Sequence, residues 1–398
     1  MNEATNPDTY KVDHLFLLVG KNPLPNYVVV KSGLLLRKGG KPYLIYTQDT
    51  QKHAYQLRDR LGITNQELIS LGKSQADAFV IQNKIKDIAK KLSGRLGLNY
   101  TGGTKSMAVN AYAAIKSINK SSVFSYLDPK DLKLLIDMPD REPIPLKVNL
   151  GMSFEDLFSL HLMELKKPPS NRPILPELAK LISQHTREWS HWCEQVLRVQ
   201  AKKKRNNGEI DWQSKEKLGK LLLSTENLPD QIISDLNVNN FLTEAKELSI
   251  EKVLKSNLFK TSKDACKWLD GTWLEHHLLS ELKPNFSSTS LSFKASSIDF
   301  EFDVAFLNNY QLFAFSCTSD GNKRICKSKL FEAYIRGKQL GGDEARVSLV
   351  CCSDNPEALE KEITGVIPDS KIKVFGRKHI PTISDEIAQW VKEQNSND

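Results

Sequence analysis

Short apolar runs alternate with amphipathic stretches through the first third of the chain. The runs occupy residues 14–19, 43–46, 68–71, 96–100, 123–126 and 132–136, and helical patterns at 51–61, 76–92 and 105–117 lie between several of them. Strands separated by helices predict crossover units and a parallel, doubly wound sheet, whose ligands sit beyond the carboxyl ends of the strands. Proline-rich stretches at 138–145 and 167–176, on either side of a short helix at 154–165, read as linkers. Residues 177–259 are mostly helical in pattern. Within them the basic run Lys202 to Arg205, followed by Asn206, Asn207 and Gly208, reads as a helix end entering a turn on a solvated face. Beyond Lys260 the order becomes a helix (262–282), a hairpin, a helix (327–340), a buried strand (346–352) and a terminal helix. The chain thus divides into an N-terminal Rossmann-like α/β part (1–150), a helical linker or winged-helix-like segment (151–260) and a C-terminal α/β part (261–398).

Composition narrows the partners. With 398 residues, 40% hydrophobic and 26% charged, the chain is long enough for two or three cores and ordinary enough to be globular. Its formal charge of +8 favours polyanions such as nucleic acid. The six cysteines show neither a C-x-x-C pair nor zinc-site spacing, so free thiols in a reducing cytoplasm are expected. Residues 1–11 lack the basic start and apolar core of a secretory signal, and no apolar run nears the roughly 20 residues that cross a bilayer. The expectation is a cytoplasmic protein without membrane contact.

Two loops carry the first candidate chemistry. The strand at 96–100 runs into Thr101, Gly102, Gly103, Thr104, Lys105 and Ser106, where a helix begins. Two glycines let backbone N–H groups approach an anion, the helix N-terminus adds partial positive charge, and Lys105 adds a full one. This is not a Walker A loop, because Thr104 separates Gly103 from the lysine. The first strand ends similarly, in Gly20, Lys21, Asn22, Pro23, Leu24, Pro25 and Asn26. Both loops follow strands of one parallel sheet and should open on one edge, where they can share a ligand.

The second candidate lies in the C-terminal part. Asn308 and Asn309 favour a turn between arms at 291–306 and 311–318. Centring the turn there sets Asp303 against Ala314 and Glu301 against Ser316. Alternation then places Glu301, Asp303, Ser316 and Thr318 on one face, with Phe302, Val304, Phe313, Phe315 and Cys317 on the other. Clustered carboxylates hold a hard divalent cation, which activates water and neutralises charge on a phosphodiester, and a nearby lysine would stabilise the same charge. On the next helix Lys329, Glu332, Arg336 and Gln339 form a polar stripe, while Leu330, Phe331, Tyr334 and Ile335 should pack inward. His276 and His277 lack the i, i+4 spacing of a zinc pair and read as packing or surface residues; Trp189, Trp192, Trp268 and Trp273 read as core or dimer contacts.

The pairing of G-K-N-P-L-P-N after the first strand with N-Y-T-G-G-T-K-S after a later one resembles the CRISPR-associated Rossmann fold family. That resemblance covers roughly the first 140 residues. It implies a homodimer binding a cyclic oligoadenylate, cyclic tetra-adenylate first among them, made by a type III CRISPR complex. Gly20, Asn22, Pro23, Asn26 and Thr101 to Ser106 (Thr101, Gly102, Gly103, Thr104, Lys105, Ser106) would line its site, with Thr47 as a further candidate. The C-terminal part resembles the PD-(D/E)xK, or restriction-endonuclease-like, nuclease domain, in which an α, β, β, α, β order recurs. Glu275 in Gly271 to Glu275 matches its helix glutamate, Asp303 its metal-binding aspartate, and the 340–345 stretch its flank. Where that family reads E-x-K, this chain has Ser316, Cys317 and Thr318. Glu301 would replace the lost carboxylate, and Lys329, or failing it Lys327, the lost lysine. The resemblance implies an endonuclease for DNA, RNA or both that uses Mg²⁺ or Mn²⁺, with Glu275, Asp303, Ser316 and Lys329 catalytic and Glu275, Glu301 and Asp303 on the metal. The alternatives are a sensor whose nuclease part only binds, and a transcription regulator that acts through the middle segment.

Overall fold

The structure is a computed structural model that describes residues 7–128, 130–165, 169–205, 208–294, 301–342, 345–367 and 371–395. Its first sheet holds β1 (Val12–Leu18), β2 (Leu36–Tyr46), β3 (Leu68–Ser70), β4 (Leu96–Asn99), β5 (Val123–Asp128), β6 (Lys133–Ile136) and β7 (Ile144–Lys147), in the order β3-β2-β1-β4-β5-β6-β7. The strands from β3 to β5 are parallel, as the crossover pattern predicts, whereas β6 and β7 run antiparallel. The stretch expected to be a linker at 138–145 therefore ends inside a strand. Pro145 is tolerated there because β7 is an edge. Helices α1 (Leu24–Lys31), α2 (Gln51–Leu61), α3 (Ala78–Ala89) and α4 (Lys105–Ile118) follow the successive strands, and α5 (Phe154–Leu160) closes the unit.

The middle of the chain holds α6 (Pro176–Gln184), α7 (Thr186–Trp192), α8 (Arg198–Ala201), α9 (Lys215–Gly219), α10 (Asp230–Val238), α11 (Ile250–Lys255) and α12 (Ser262–Lys267). Between them lie two two-stranded sheets, β8 (Lys202–Lys204) with β9 (Ile210–Trp212), and β10 (Leu222–Leu223) with β11 (Leu248–Ser249). The basic run is thus a strand, not a helix end: α8 stops at Ala201 and Lys202 turns extended, at φ −111° and ψ 153°. Asn206 and Asn207 lie outside the described residues.

The last sheet has the order β12 (Ser290–Lys294), β13 (Glu301–Asn308), β14 (Gln311–Thr318), β15 (Arg346–Cys351), β16 (Ile372–Phe375). The arm expected at 291–306 is two strands, β12 and β13, paired antiparallel. A π-helical turn at Trp268–Thr272 joins α12 to α13 (Trp273–Leu282), and α14 (Lys323–Gly341), α15 (Pro356–Thr364) and α16 (Ile383–Asn395) pack on the sheet. Of the 340–345 stretch, Asp343 and Glu344 fall outside the described residues. No helix among those described is long and apolar enough to cross a membrane.

The hairpin register differs from expectation. Asn308 pairs with Gln311, Ala305 with Ala314 and Val304 with Phe315, so the turn is Asn309–Tyr310, with Asn309 at φ +55°. Moving the turn by one residue moves each partner by two, so the faces keep their parity while the partners change. Continuing the pairing sets Asp303, not Glu301, across from Ser316. Val304, Phe313, Phe315 and Cys317 join a core with the four tryptophans, all of which are buried. Phe302 does not join them; it packs in the cluster of Phe293, Phe154 and Phe158. On α14 the inward residues are Cys326, Leu330, Ala333, Gly337 and Leu340. Ile335, expected inside, is 55% exposed because it falls on the side of the helix opposite that stripe.

A single apolar cluster bridges the first and last sheets, joining Leu17 and Val28 through Phe158 to Phe293, Leu312 and Leu340. The turn of the β13–β14 hairpin and the end of α14 are thereby seated against the N-terminal unit. Gln311 Nε2 donates to Lys130 O at 3.1 Å, and the fully buried Arg346 guanidinium lies 3.5 Å from the same oxygen.

Candidate functional site

Buried polar groups shape the loops beyond β1 and β4. Asn99 accepts from Thr101 N at 3.3 Å and donates to Ser125 Oγ at 3.1 Å, while Thr101 Oγ1 accepts from Leu127 N at 2.7 Å. Asn26 lies beneath the loops at 1% exposure, donating to Leu18 O at 3.0 Å. Gly102 packs on that carbonyl so closely that a Cβ would sit 2.2 Å from it, and Gly103 has a φ of +77°. Both glycines are required by this approach of the two loops.

The loops bound a cleft of about 340 Å³. Of the residues singled out in sequence, Gly20, Asn22, Thr101, Gly102 and Gly103 line it, with Lys21 beside them. Pro23 and Asn26 do not. Lys105 is exposed on the first turn of α4, and Thr104 caps that helix, accepting from Met107 N at 3.2 Å. Ser106 Oγ donates to Ala76 O at 3.4 Å, and Thr47 lines a neighbouring depression with Gly72 and Gln75. Sequence reasoning missed Tyr126, Leu127 and Asp128, although their place at the end of β5, next to β4, was the available signal. It also missed Tyr310, Gln311 and Gly341, which close the cleft from the C-terminal part. No local pattern marks them.

Asn22 is the joint between these parts. Its Oδ1 accepts from Leu24 N at 3.1 Å and lies 3.2 Å from His161 Nε2. Its amide nitrogen lies where a Cβ on Gly342 would stand 2.0 Å away. Burial holds the His161 pKa at about 4, so the ring is neutral near neutral pH and one of its two contacts, to Asn22 or to Leu157 O, carries the proton.

A second cleft, of about 240 Å³, opens at the far end of the same hairpin, between Asp270, Glu275, Cys317, Thr318 and Lys329. Asp303 sits beneath it. Its Oδ2 accepts from Cys317 N at 2.6 Å and from Ser316 Oγ at 3.2 Å. Lys329 Nζ donates to Cys317 O at 3.0 Å and stands 3.7 Å from Asp303 Oδ2. The Cys317 thiol is pushed well above its usual range by burial first, then by the Asp303 and Glu275 carboxylates, with Lys329 opposing them. That thiol stays protonated and cannot serve as a nucleophile. Glu275 lines the cleft, and Lys329 reaches Asp303 from α14 below it.

Asp270, unremarked in sequence, holds Arg198 Nε at 2.6 Å and Lys202 Nζ at 2.7 Å on the cleft's other wall. Lys327 turns away to pair with Glu362. The side chain of Glu301 is outside what the structure describes. Among the described residues no group of three or more His, Cys, Asp or Glu is arranged to hold a metal ion.

No curated protein matches the chain at significant similarity. Among solved structures it is similar to protein VC1899 from Vibrio cholerae, at TM-score 0.71 and 16% identity over 96% of this chain and 99% of that one. It is similar also to Can2 from Sulfobacillus thermosulfidooxidans, solved in complex with cyclic tetra-adenylate, at TM-score 0.69 and 16% identity over 95% of this chain and 99% of that one. At this identity the likeness is one of fold, and it extends through all parts of the chain. Residues 15–154, which contain both cleft loops, match the family model described as the Card1 CARF domain.

Proposed function

We propose that the chain is a sensor–effector of type III CRISPR defence: a cytoplasmic homodimer in which a cyclic oligoadenylate bound at the N-terminal cleft governs a phosphodiester-cleaving site in the C-terminal part. The sensor spans 1–150, the helical segment 151–260 and the nuclease 261–398. The family match over 15–154 supports the ligand class, and the Can2 complex makes cyclic tetra-adenylate the first ligand to test. Backbone N–H groups at the start of α4, crowded glycines and nearby Lys21 suit a phosphodiester ring.

One observation carries the coupling. The β13–β14 hairpin has its turn (Tyr310, Gln311) in the first cleft and Asp303, Ser316 and Cys317 at the second. Helix α14 likewise runs from Lys329 at the second cleft to Gly341 at the first. Six residues of strand and twelve of helix both span about 20 Å, so two rigid elements tie the sites together.

In this reading Glu275 and Asp303, with Glu301 as third carboxylate, would hold Mg²⁺ or Mn²⁺, which supplies an activated water and neutralises phosphate charge. Lys329 meets negative charge developing on the phosphate. Ser316 orients Asp303. The substrate is DNA, RNA or both. Nicking of plasmid or of single strands that requires cyclic tetra-adenylate and Mn²⁺, and is lost in Asp303→Ala, is the expected result. Cutting that persists in Asp303→Ala would overturn the site. The second reading, nucleic-acid binding without cleavage, draws on Ser316-Cys317-Thr318 where E-x-K is usual; it predicts retained binding and no product in any metal.

A further inference from the structure

The β8–β9 ribbon is built outward from the wall of the carboxylate cleft. Lys202 pairs with Trp212, Lys203 with Asp211 and Lys204 with Ile210. At its base the Lys202 ammonium lies 4.8 Å over the Trp212 ring and 2.7 Å from Asp270 Oδ2, and both Trp212 and Asp270 line the cleft beside Glu275. Strand alternation puts Lys204 and Ile210 on the same face as that base, farther from the body. Ile210 is 72% exposed, and Lys203, Lys204 and Arg205 are exposed as well. Arg205 is paired with Asp211, but neither Lys203 nor Lys204 has an acidic partner among the described residues. Neither the bare β-branched side chain nor the unpaired lysines stabilise the fold where they stand.

We propose that this ribbon is a DNA-contacting element that enters a groove of duplex DNA, with Lys203 and Lys204 on the phosphates and Ile210 against the bases, and holds the duplex across the carboxylate cleft. A two-stranded ribbon fits the B-form major groove, whereas the major groove of A-form RNA is too deep and narrow to admit it. In the B-form groove apolar side chains contact the thymine methyl group. The purpose of the contact rests on the nuclease reading; the contact itself does not.

The test is anisotropy of a short fluorescein-labelled DNA duplex with the full-length chain in EDTA, over a series of salt concentrations, so that cleavage plays no part. Each lysine removed from a phosphate should reduce the slope of log K against log salt by about 0.9. Lys203→Ala with Lys204→Ala is therefore expected to lower it by about 1.8 and to weaken binding at low salt at least about tenfold. Lys90→Ala with Lys91→Ala, exposed residues at the end of α3, should leave it unchanged. Ile210→Ser should weaken DNA binding without changing the slope. Because binding is read in EDTA, where no cleavage occurs, failure of the nuclease reading leaves this result unaffected. An unaltered slope in the lysine variant, or an equal loss in the Lys90/Lys91 pair, overturns the ribbon's role; an A-form RNA duplex bound as tightly and as sensitively to Ile210→Ser overturns the groove assignment.

Discussion

Gly102→Ala tests the sensor cleft at its tightest point. The added Cβ would lie 2.2 Å from Leu18 O, which is 0.8 Å inside the 3.0 Å that real Cβ atoms essentially never breach, and 3.2 Å from Asn26 Oδ1. The obstacle is backbone at the end of a central strand, so the loop must move rather than the strand. Such overpacking costs about 1–3 kcal/mol. Displacing the loop also strains the Asn26–Leu18 bond of 3.0 Å and carries the Gly103 and Thr101 backbone away from the ligand. Isothermal titration with cyclic tetra-adenylate should show a loss of at least about tenfold, equivalent to about 1.4 kcal/mol, together with a lowered melting temperature. Gly151→Ala is the matched control: nothing lies within 4 Å of its Cβ, and its φ is not positive. Wild-type affinity in Gly102→Ala, with a lowered melting temperature, would show that the close approach of the loops serves folding and not the ligand.

Lys329→Ala should slow single-turnover cleavage by about 10²–10³-fold with ligand affinity unchanged, the usual cost of removing one charge-stabilising donor; a loss under about threefold removes the ammonium from the chemistry. Cys317→Ala should keep cleavage, and native Cys317 should resist iodoacetamide, because the buried thiol sits beside two carboxylates. Gln311→Leu preserves volume but removes polar atoms from the cleft, so cyclic tetra-adenylate affinity should fall about three- to tenfold, the worth of one hydrogen bond, as read by titration; no change would place the hairpin turn outside the ligand site. His161 and His276 are each held by burial at about 4, against 6.5 unperturbed. The unfolded chain then binds more protons between those values, so stability is full above about pH 6.5 and declines as pH falls towards 4, by about 2 kcal/mol per histidine at pH 5. Urea melts at pH 7 and 5 should show this, and His161→Gln should flatten the difference.

The parallel strands were legible because a strand buried on both faces reads as an unbroken apolar run, and Leu96–Asn99 ending in Gly102 and Gly103 announces both strand and loop. Strand β7 was not, since Pro145 and its exposed neighbours carry no such run. Strand β8 consists of three lysines and has no apolar period at all; pairing with Ile210–Trp212 makes it a strand. From Val304 to Cys317 the hairpin's faces were readable from parity, whereas Phe302 falls on the other side, and the partners depended on whether Asn308 or Asn309 opened the turn. The tertiary seat of Tyr310, buried against the N-terminal unit, decides for the latter. The same seat explains why the first cleft was only half visible: Gly20 and Gly102 announce themselves, whereas Tyr310, Gln311 and Gly341 reach it only once the chain has folded.

That shared construction has an energetic consequence. A ligand shifts an equilibrium only by the difference in its affinity for the two states. Were the cleft made of the N-terminal loops alone, a ring bound there would have no direct contact with the C-terminal part. Here Asn22 touches the ligand cleft, His161 and the end of α14 at once, and the hairpin turn forms part of the wall. Where motion of α14 or the hairpin changes the surface available to the ligand, a ligand that prefers one arrangement biases where Asp303 and Lys329 stand, and reciprocity requires the converse. The coupling must then work in reverse: duplex DNA bound at the far cleft should alter the affinity for cyclic tetra-adenylate. Substitutions at Gly342, where a Cβ would stand 2.0 Å from the Asn22 amide, should abolish that mutual effect before they abolish either binding event.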